Sequence, residues 1–465
     1  MRLEDITQGF MDFWNEYKIV KSGIAGLILL LVFIVIIILE PFIIPFSQTN
    51  SNWRDIRYWE DNARSAPPVW IDIFKSQKHA RSKKITQFNE TEDKKVNMRI
   101  KKVIFTYDYS KDIPPLDIIF HCRYNGSPVV ILHIQRPDNK RLELLRKSLK
   151  NGNNTAARIS IDKDARQKAN SFALRFDRPL NTVNRRMINP TKVIFSRAEK
   201  GILTEPGPLK GQYKITAELL FLNDNDATQD LYLFLPGSVS GLLGTDNSKR
   251  DLWSGIIAGV KWALLIGLLT SFISVSIGVI YGVVCAYLGG WQDSFLQRIF
   301  EIFLSIPLLP LLIVMSAVFQ PSIYILIFMM SLFFWVGPVK TVRSIGLQIK
   351  EEVYIEASKA FGASGFRIVF KHMVPLLIPY SFASMALYVP QAIVYESSIS
   401  LLGLGDSTIV TWGQILHDAL TGGAVINGQW WWIIPPGLAI ALMGMTFAFI
   451  GFAMDKILHP KLRTR

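Results

Sequence analysis

The sequence predicts an α-helical polytopic membrane protein with six transmembrane helices and an inserted extracytoplasmic all-β domain. Two observations predict it. Half of the 465 residues are hydrophobic, mean hydropathy is +0.26, and long apolar runs gather near the start and in the second half of the chain. Between the first run and the others lies a polar block, about residues 47–250, whose short apolar stretches alternate as strands do.

The first run, residues 23–39, carries no charge and continues past Glu40-Pro41 to Phe46. Lys18 and Lys21 flank it and no small-x-small cleavage signal follows, which predicts a retained anchor. Further runs occupy residues 254–288 (with Lys261 near the start), 300–319, 322–339, 374–395 and 430–453. Each is near or above the ~20 residues that cross a ~30 Å hydrocarbon core.

Orientation follows from the basic residues of the short loops. Lys340, Arg343, Lys350, Lys359, Arg367 and Lys371 lie between the fourth and fifth runs. Lys456, Lys461, Arg463 and Arg465 follow the sixth, whereas Gln320-Pro321 has no basic neighbour. The positive-inside rule then predicts cytoplasmic termini, with the polar block outside because long domains translocate regardless of charge. Trp430-Trp431-Trp432 would sit in the outer interfacial belt or pack in the core.

Within the polar block, strands are expected at 102–107, 117–122, 129–134, 158–161, 171–176, 193–195, 213–221 and 231–234. Turn clusters such as Asn125-Gly-Ser-Pro128 and Asn151-Gly-Asn-Asn154 separate them, and residues 141–150 read as a helix. A small β-sandwich is the expected outcome. No metal-ligand spacing, no partnered pair of catalytic carboxylates and no Gly-x-Ser-x-Gly elbow occurs. His133, alone in its strand, reads as a packed histidine. The block is a binding or spacing module, not an enzyme. Cys122 and Cys285 lie in the polar block and an apolar run, which argues against a pair. The net charge of +14 comes without zinc spacing, a groove-reading helix or an RNP-like aromatic pair, so nucleic acid is not the expected partner. Anionic lipid and a basic outer face account for it.

The most specific segment is Glu356-Ala357-Ser358-Lys-Ala-Phe-Gly362, followed by Ala363, Arg367 and, thirteen residues after the glycine, Pro375. Residues 354–361 favour helix, Gly362 permits a turn, and 366–372 form a second basic-apolar helical stretch. Pro375 then opens the next span, where a missing N–H costs little. A helix–turn–helix on the cytoplasmic surface suits docking into a groove of another protein. This spacing resembles the "EAA" loop of permease subunits in ATP-driven, ABC-type importers, with Ser358, His372 and Val374 replacing alanine, isoleucine and leucine.

A second element, Gly244-Thr245-Asp246-Asn-Ser-Lys249-Arg250-Asp251, precedes the second span. Asp246 can cap the incoming helix, Asp251 is favourable near its N-terminus, and Arg250 can pair with either acid. It resembles the Gly-Thr-Asp-x-x-Gly-Arg-Asp element of the oligopeptide/dipeptide permeases, with Lys249 where that family has glycine. A structural cap and a substrate contact are both open. The resemblance continues in Tyr287-Leu-Gly-Gly-Trp291-x-Asp293, Glu301–Ser305-x-Pro307, Glu396-Ser-Ser-Ile-Ser400-Leu-Leu-Gly403-Leu-Gly405, Trp412-Gly413 and His459-Pro-Lys-Leu-Arg463. Upstream, Asn62-Ala-Arg-Ser-Ala-Pro-Pro68-x-Trp70 resembles the segment after the first span. Together these cover roughly residues 10–75 and 240–465, in the family's order. Glu396, an acid near a span end, either lines the pathway or caps the short helix that follows.

The resemblance implies a type I ABC importer permease fold, with this chain similar to the C-type permease of the pair. Its expected divisions are a cytoplasmic segment (1–21), a first transmembrane helix (22–46) and an extracytoplasmic linker (47–89). The inserted β-rich domain (90–236) and a core permease domain (237–465) with five transmembrane helices and the coupling loop follow. The related permeases usually join their first two spans with a few tens of residues, so the insertion is the chief departure. The chain has no Gly-x-x-x-x-Gly-Lys-[Ser/Thr] phosphate loop. The family implies that ATP is used by two separate cytoplasmic ATPase subunits, with no cofactor bound directly. A second permease and an extracytoplasmic solute-binding protein complete the implied assembly in a bacterial inner membrane. Implied substrates are short peptides, alternatively nickel complexes or peptide-like antibiotics. Two other classes compare less well. A membrane sensor would need a cytoplasmic output domain, and a secondary transporter would need mid-membrane coupling acids that the third and fourth runs lack.

Overall fold

The computed structural model describes residues 14–95, 98–149, 155–177, 189–222 and 226–458. The chain divides into two units, one of Met1–Arg54 with Ser254–Arg465 and one of Asp55–Trp253. The expected turn at Asn151–Asn154 and the His459–Arg463 element lie outside the described residues.

The first unit is helical because its runs are apolar around the whole helix, a pattern that suits lipid and protein neighbours on every side. Its helices are α1 (Lys21–Ile43), α2 (Leu252–Leu288, whose first two residues fall in the other unit), α3 (Gly290–Ser305), α4 (Leu308–Val318) and α5 (Ile323–Phe334). They continue with α6 (Val336–Lys350), α7 (Val353–Ala360), α8 (Ile378–Leu401), α9 (Trp412–Thr421) and α10 (Trp430–Leu458). Among the described residues, five helical runs are long and apolar enough to cross a membrane, or six if α3 and α4 count as one span.

That pair takes in the apolar run expected at 300–319. Its helices are bent by 77°. Ile306 is extended (ψ 124°) because it precedes Pro307, whose ring disfavours helical backbone at the residue before it. The fifth run also differs: helix begins at Gly365, passes through a π-helical stretch (Ile368–Met373) and a 3-10 turn (Val374–Leu377), then becomes α8. Pro375 therefore lies inside the span, not at its opening. The wider π turn relieves the clash between a proline ring and the carbonyl four residues earlier.

Small residues let α1 lie against α10. A Cβ on Gly23 would stand 2.6 Å from Ala453 Cβ, and one on Gly26 2.9 Å from the Thr446 carbonyl. Glu40 of α1 accepts from Lys261 of α2 at 3.0 and 3.1 Å, joining two charges that the sequence places 221 residues apart. Of the three tryptophans that open α10, Trp432 is fully buried.

The Asp55–Trp253 unit is built on two antiparallel sheets. The strands are β1 (Lys83–Ile85), β2 (Asn89–Lys95), β3 (Met98–Tyr109), β4 (Ile119–Asn125) and β5 (Val129–Gln135). β6 (Arg141–Ser148), β7 (Thr155–Arg158), β8 (Gly211–Phe221) and β9 (Ala227–Leu235) complete them. One sheet has the order β1-β9-β4-β7 and the other β2-β3-β8-β5-β6. Alternate residues of β3 and β8, such as Phe105, Tyr107, Tyr213 and Ile215, share one buried core with Phe120 of β4 and Leu233 of β9. The unit takes in residues 55–89, since β1 is hydrogen-bonded to β9.

Three local expectations reverse here. Of the run 141–150 expected as a helix, residues 141–148 form β6, because pairing with β5 buries Leu142, Leu144 and Leu145 and overrides their helix propensity. Residues 171–176 end a helix (Lys163–Ala173) that Asp162 caps by accepting from Ala165 N. Residues 193–195 close a short helix (Pro190–Ile194) begun by Asn189 and a proline in its first turn.

Candidate functional site

The expected coupling residues form one continuous surface feature. α7 ends in a Schellman turn: Gly362 N donates to Lys359 O at 2.9 Å, and Ala363 N to Ser358 O at 3.0 Å. Gly362 stands at φ +78°, the left-handed conformation that this turn demands. Ser358 Oγ donates back to Tyr354 O at 2.7 Å, and Glu356 lies exposed in the first turn of α7, where the helix dipole favours an acid. Ser364 then caps the next helical turn by accepting from Arg367 N.

Burial divides this segment into an anchor and a free face. Ile355, Ile368, Val369 and Met373 pack against Val275, Val279 and Val283 of α2 and Val342 of α6. On the other side Phe361 is 92% and Phe366 75% exposed, and the Phe366 ring lies 4.5 Å from that of Phe370. Close packing thus ties the loop to α2 and α6. Two further contacts brace these helices: Arg343 of α6 grips Asp293 of α3 at 2.9 and 2.5 Å, and Lys350 donates to Ala286 O at 3.2 Å.

Glu396, Gly403, Gly405 and Trp412 come together at the other end of the Gly365–Leu401 span, roughly 50 Å of helix rise from Gly362. Glu396 is buried in the last turns of α8. Its carboxylate accepts from Ser400 Oγ at 2.7 Å and from Ser397 Oγ at 3.2 Å. Thr411, not Glu396, caps the following helix α9, by accepting from Gln414 N. Gly403 (φ +82°) forms another Schellman turn, with Leu404 N donating to Ile399 O at 3.2 Å. A side chain on Gly405 would strike Ser400 Oγ, and Trp412 Nε1 donates to Ile256 O of α2 at 2.9 Å.

Several residues of this junction escaped sequence reasoning. Asp406 accepts from Ile323 N at the start of α5. His417 bonds through Nδ1 to Leu401 O, and Arg54 reaches Asp418 and Gln414 at 3.0 Å each. A threonine just before a helical run was the available signal for Thr411; Asp406, 83 residues from Ile323, had no local one.

The pre-helix element belongs to the Asp55–Trp253 unit. Thr245 bonds to Ala63 O and Ala66 N, joining it to the segment at 63–66. Asp246 accepts from Ser248 N and Arg250 N, both at 2.8 Å, and pairs with Arg250 Nε at 2.5 Å. It closes its own turn; the residue that directly precedes α2 is Asp251, which is bridged to Thr245. Gly244 enters this turn at φ +75°. Lys249 keeps a left-handed backbone (φ +68°) at the family's glycine position, and its Nζ donates to Glu60 O at 2.8 Å. Burial and the neighbouring Arg158 charge push the Lys249 amine down to about 8. Beside it, His121, whose Nε2 lies 3.0 Å from Asp61 Oδ1, and the charges of Arg158 and Lys84 hold the Asp61 carboxyl below its usual range. Burial raises that of Asp117. Among the described residues no group of three or more His, Cys, Asp or Glu is placed to hold a metal.

Apolar helices long enough to span a bilayer, joined by a braced, partly exposed helical loop, define a multi-pass membrane protein. Residues 278–464 match the family described as "Binding-protein-dependent transport system inner membrane component". The chain is 36% identical to the dipeptide transport system permease protein DppC of Bacillus subtilis, over 49% of this chain and 71% of that one. It is 34% identical to the oligopeptide transport system permease protein OppC of Haemophilus influenzae, over 47% and 70% of the two chains. With OppC of Bacillus subtilis the identity is 31%, over 54% and 81%. A solved structure of the MetNI methionine ABC transporter in inward-facing conformations aligns with 21% identity, over 46% of this chain and 98% of that one. Its TM-score of 0.34 is too low to carry an argument. The chain belongs to the family of binding-protein-dependent transport system inner-membrane components.

Proposed function

We propose that this chain is one permease subunit of an ATP-driven importer of short peptides, forming half of a translocation pathway with a second, related permease. The likeness to dipeptide and oligopeptide permeases supports the substrate class. ATP is consumed by two partner ATPases at the cytoplasmic face, and this chain binds no cofactor of its own. Both termini lie in the cytoplasm and the inserted unit lies outside. There it meets a solute-binding protein: between Asp55 and Trp253, 35 Lys and Arg stand against 23 Asp and Glu, which favours an acidic partner surface.

The observation that carries this reading is the division of the 353–373 segment. Phe361 and Phe366 offer an apolar knob for a groove on the ATPase, with Glu356 and Arg367 exposed beside it. Ile355 and Ile368 carry the resulting push into α2 and α6. Co-expression with the cognate ATPases tests it. Phe361→Ser and Phe366→Ser should lower ATPase recovery at least tenfold, with thermal stability unchanged because both rings face solvent. Full recovery with both variants would sink the proposal.

A further inference from the structure

The ribbon that leads into α2 carries an exposed apolar patch. Residues 65–70 and 240–246 zip together: Ser65 N donates to Asp246 O at 2.8 Å, Thr245 N to Ala66 O at 2.8 Å and Val69 N to Gly241 O at 3.1 Å. Val69–Ile73 then makes a 3-10 turn in which Ile71 is buried. With three residues per turn, Ile73 falls one turn beyond Trp70. Ile73 and Phe74 are 75% and 80% exposed, and the Trp70 and Phe74 rings meet edge-on at 6.3 Å. Leu242, also exposed, joins them: Trp70 Nε1 donates to its carbonyl at 2.7 Å.

Two observations say what covers this patch. The first is its place at the mouth of a membrane span. The N–H of Leu252, the first residue of α2, donates to Gly244 O at 3.1 Å, and Leu242 is two residues from Gly244. With 37 residues α2 rises roughly 55 Å, about 10–15 Å more than a bilayer counted with its headgroups. Its first residue therefore stands at headgroup level. The second is the chemistry of the patch. The indole N–H of Trp70 is already bonded, which leaves the ring an apolar face. Lys75 and Lys78 stand exposed at the rim, with Lys78 Nζ folded back to Lys75 O at 3.0 Å. Aromatic and aliphatic side chains edged by lysine suit the boundary between acyl chains and headgroups.

We propose that Trp70, Ile73, Phe74 and Leu242 form an interfacial anchor that dips into the lipid headgroup region where α2 enters the bilayer. The apolar side chains meet the upper acyl chains, and Lys75 and Lys78 meet lipid phosphates. The partner is a lipid surface. This goes beyond the transport reading and rests on neither the substrate nor the orientation of the chain.

Site-directed fluorescence of the purified full chain in phosphatidylcholine–phosphatidylglycerol nanodiscs tests it. With the buried Cys122 and Cys285 changed to alanine, bimane is attached at Lys75→Cys or at Ser127→Cys. Ser127 is an exposed control at the other end of the sheet. It lies beyond Asn125, which pairs with Ala227, whereas the Leu235 end of β9 runs on into the 240–246 ribbon. Phosphatidylcholine bearing a nitroxide on its headgroup should quench site 75 at least about twofold more than site 127. Adding Ile73→Ser and Phe74→Ser should bring the two sites level. Equal quenching in the parent protein, or quenching at site 75 that the double change leaves intact, overturns the proposal. So does shielding of site 75 from aqueous iodide by an added solute-binding protein without lipid quenching, which would assign the patch to a protein partner. None of these failures touches the Phe361 and Phe366 recovery experiment, so the two readings stand or fall separately.

Discussion

Lys249 donates its Nζ to the backbone carbonyl of Glu60 at 2.8 Å while its own backbone is held at φ +68°. Left-handed backbone costs an L-residue about 1–2 kcal/mol. The contact therefore offsets part of the cost of a conformation for which glycine is the natural occupant. Arg158 donates to the same carbonyl at 2.9 Å, so Glu60 O collects a cation from β7 and another from the turn before α2.

This pair predicts a pH dependence. The Lys249 amine titrates at about 8 in the folded chain against 10.5 for the free group. Between those values the unfolded chain holds more protons, so the Lys249 contribution to stability rises with pH across that window. Below about pH 8 both states are protonated and the penalty is constant. Thermal melts of wild type and Lys249→Met, compared at pH 7.5 and pH 10, should show the wild type gaining relative to the variant. An unchanged difference would remove the buried-amine account.

Gly362 isolates backbone strain from packing. A Cβ there would meet nothing within 4 Å, yet φ is +78°. Gly362→Val should therefore cost about 1–2 kcal/mol at the turn. That corresponds to a ~5–30-fold loss of the docking-competent loop. ATPase recovery and peptide uptake should fall while membrane insertion persists; uptake equal to wild type would contradict the turn's role.

Glu396→Ala should strand the hydroxyls of Ser397 and Ser400 in the interior. Leaving buried partners unsatisfied costs about 1–3 kcal/mol, read as a lower melting temperature in detergent. Lost uptake with an unchanged melting temperature would instead place the carboxylate on the substrate path.

Topology is checked with introduced cysteines, after removal of the buried Cys122 and Cys285. A cysteine at exposed Thr204 should react with an impermeant thiol reagent in intact cells, and one at Ser364 only after lysis. The opposite pattern would reverse the orientation and with it the direction of transport.

Much of this architecture was legible because its causes are local. A charge-free run of about 20 residues has few homes other than a bilayer. Lys359-Ala-Phe-Gly362 announces a helix end because only glycine enters the left-handed C′ position without strain. The bend at Pro307 has an equally local cause, but hydropathy marks 300–319 only as one apolar run because it ignores backbone restriction.

The sequence by itself determined the apolar runs, the turn at Gly362 and the presence of a strand-rich block. Tertiary structure alone decided the rest. Residues 141–148 became a strand because β5 was there to pair with. Asp406 met the Ile323 N–H across 83 residues. Glu40 met Lys261 across 221 residues, and Lys249 met Glu60 across 189. Propensity and periodicity report energies between near neighbours in the chain. A hydrogen bond between distant residues depends on how the intervening chain closes, and no short window of sequence carries that information.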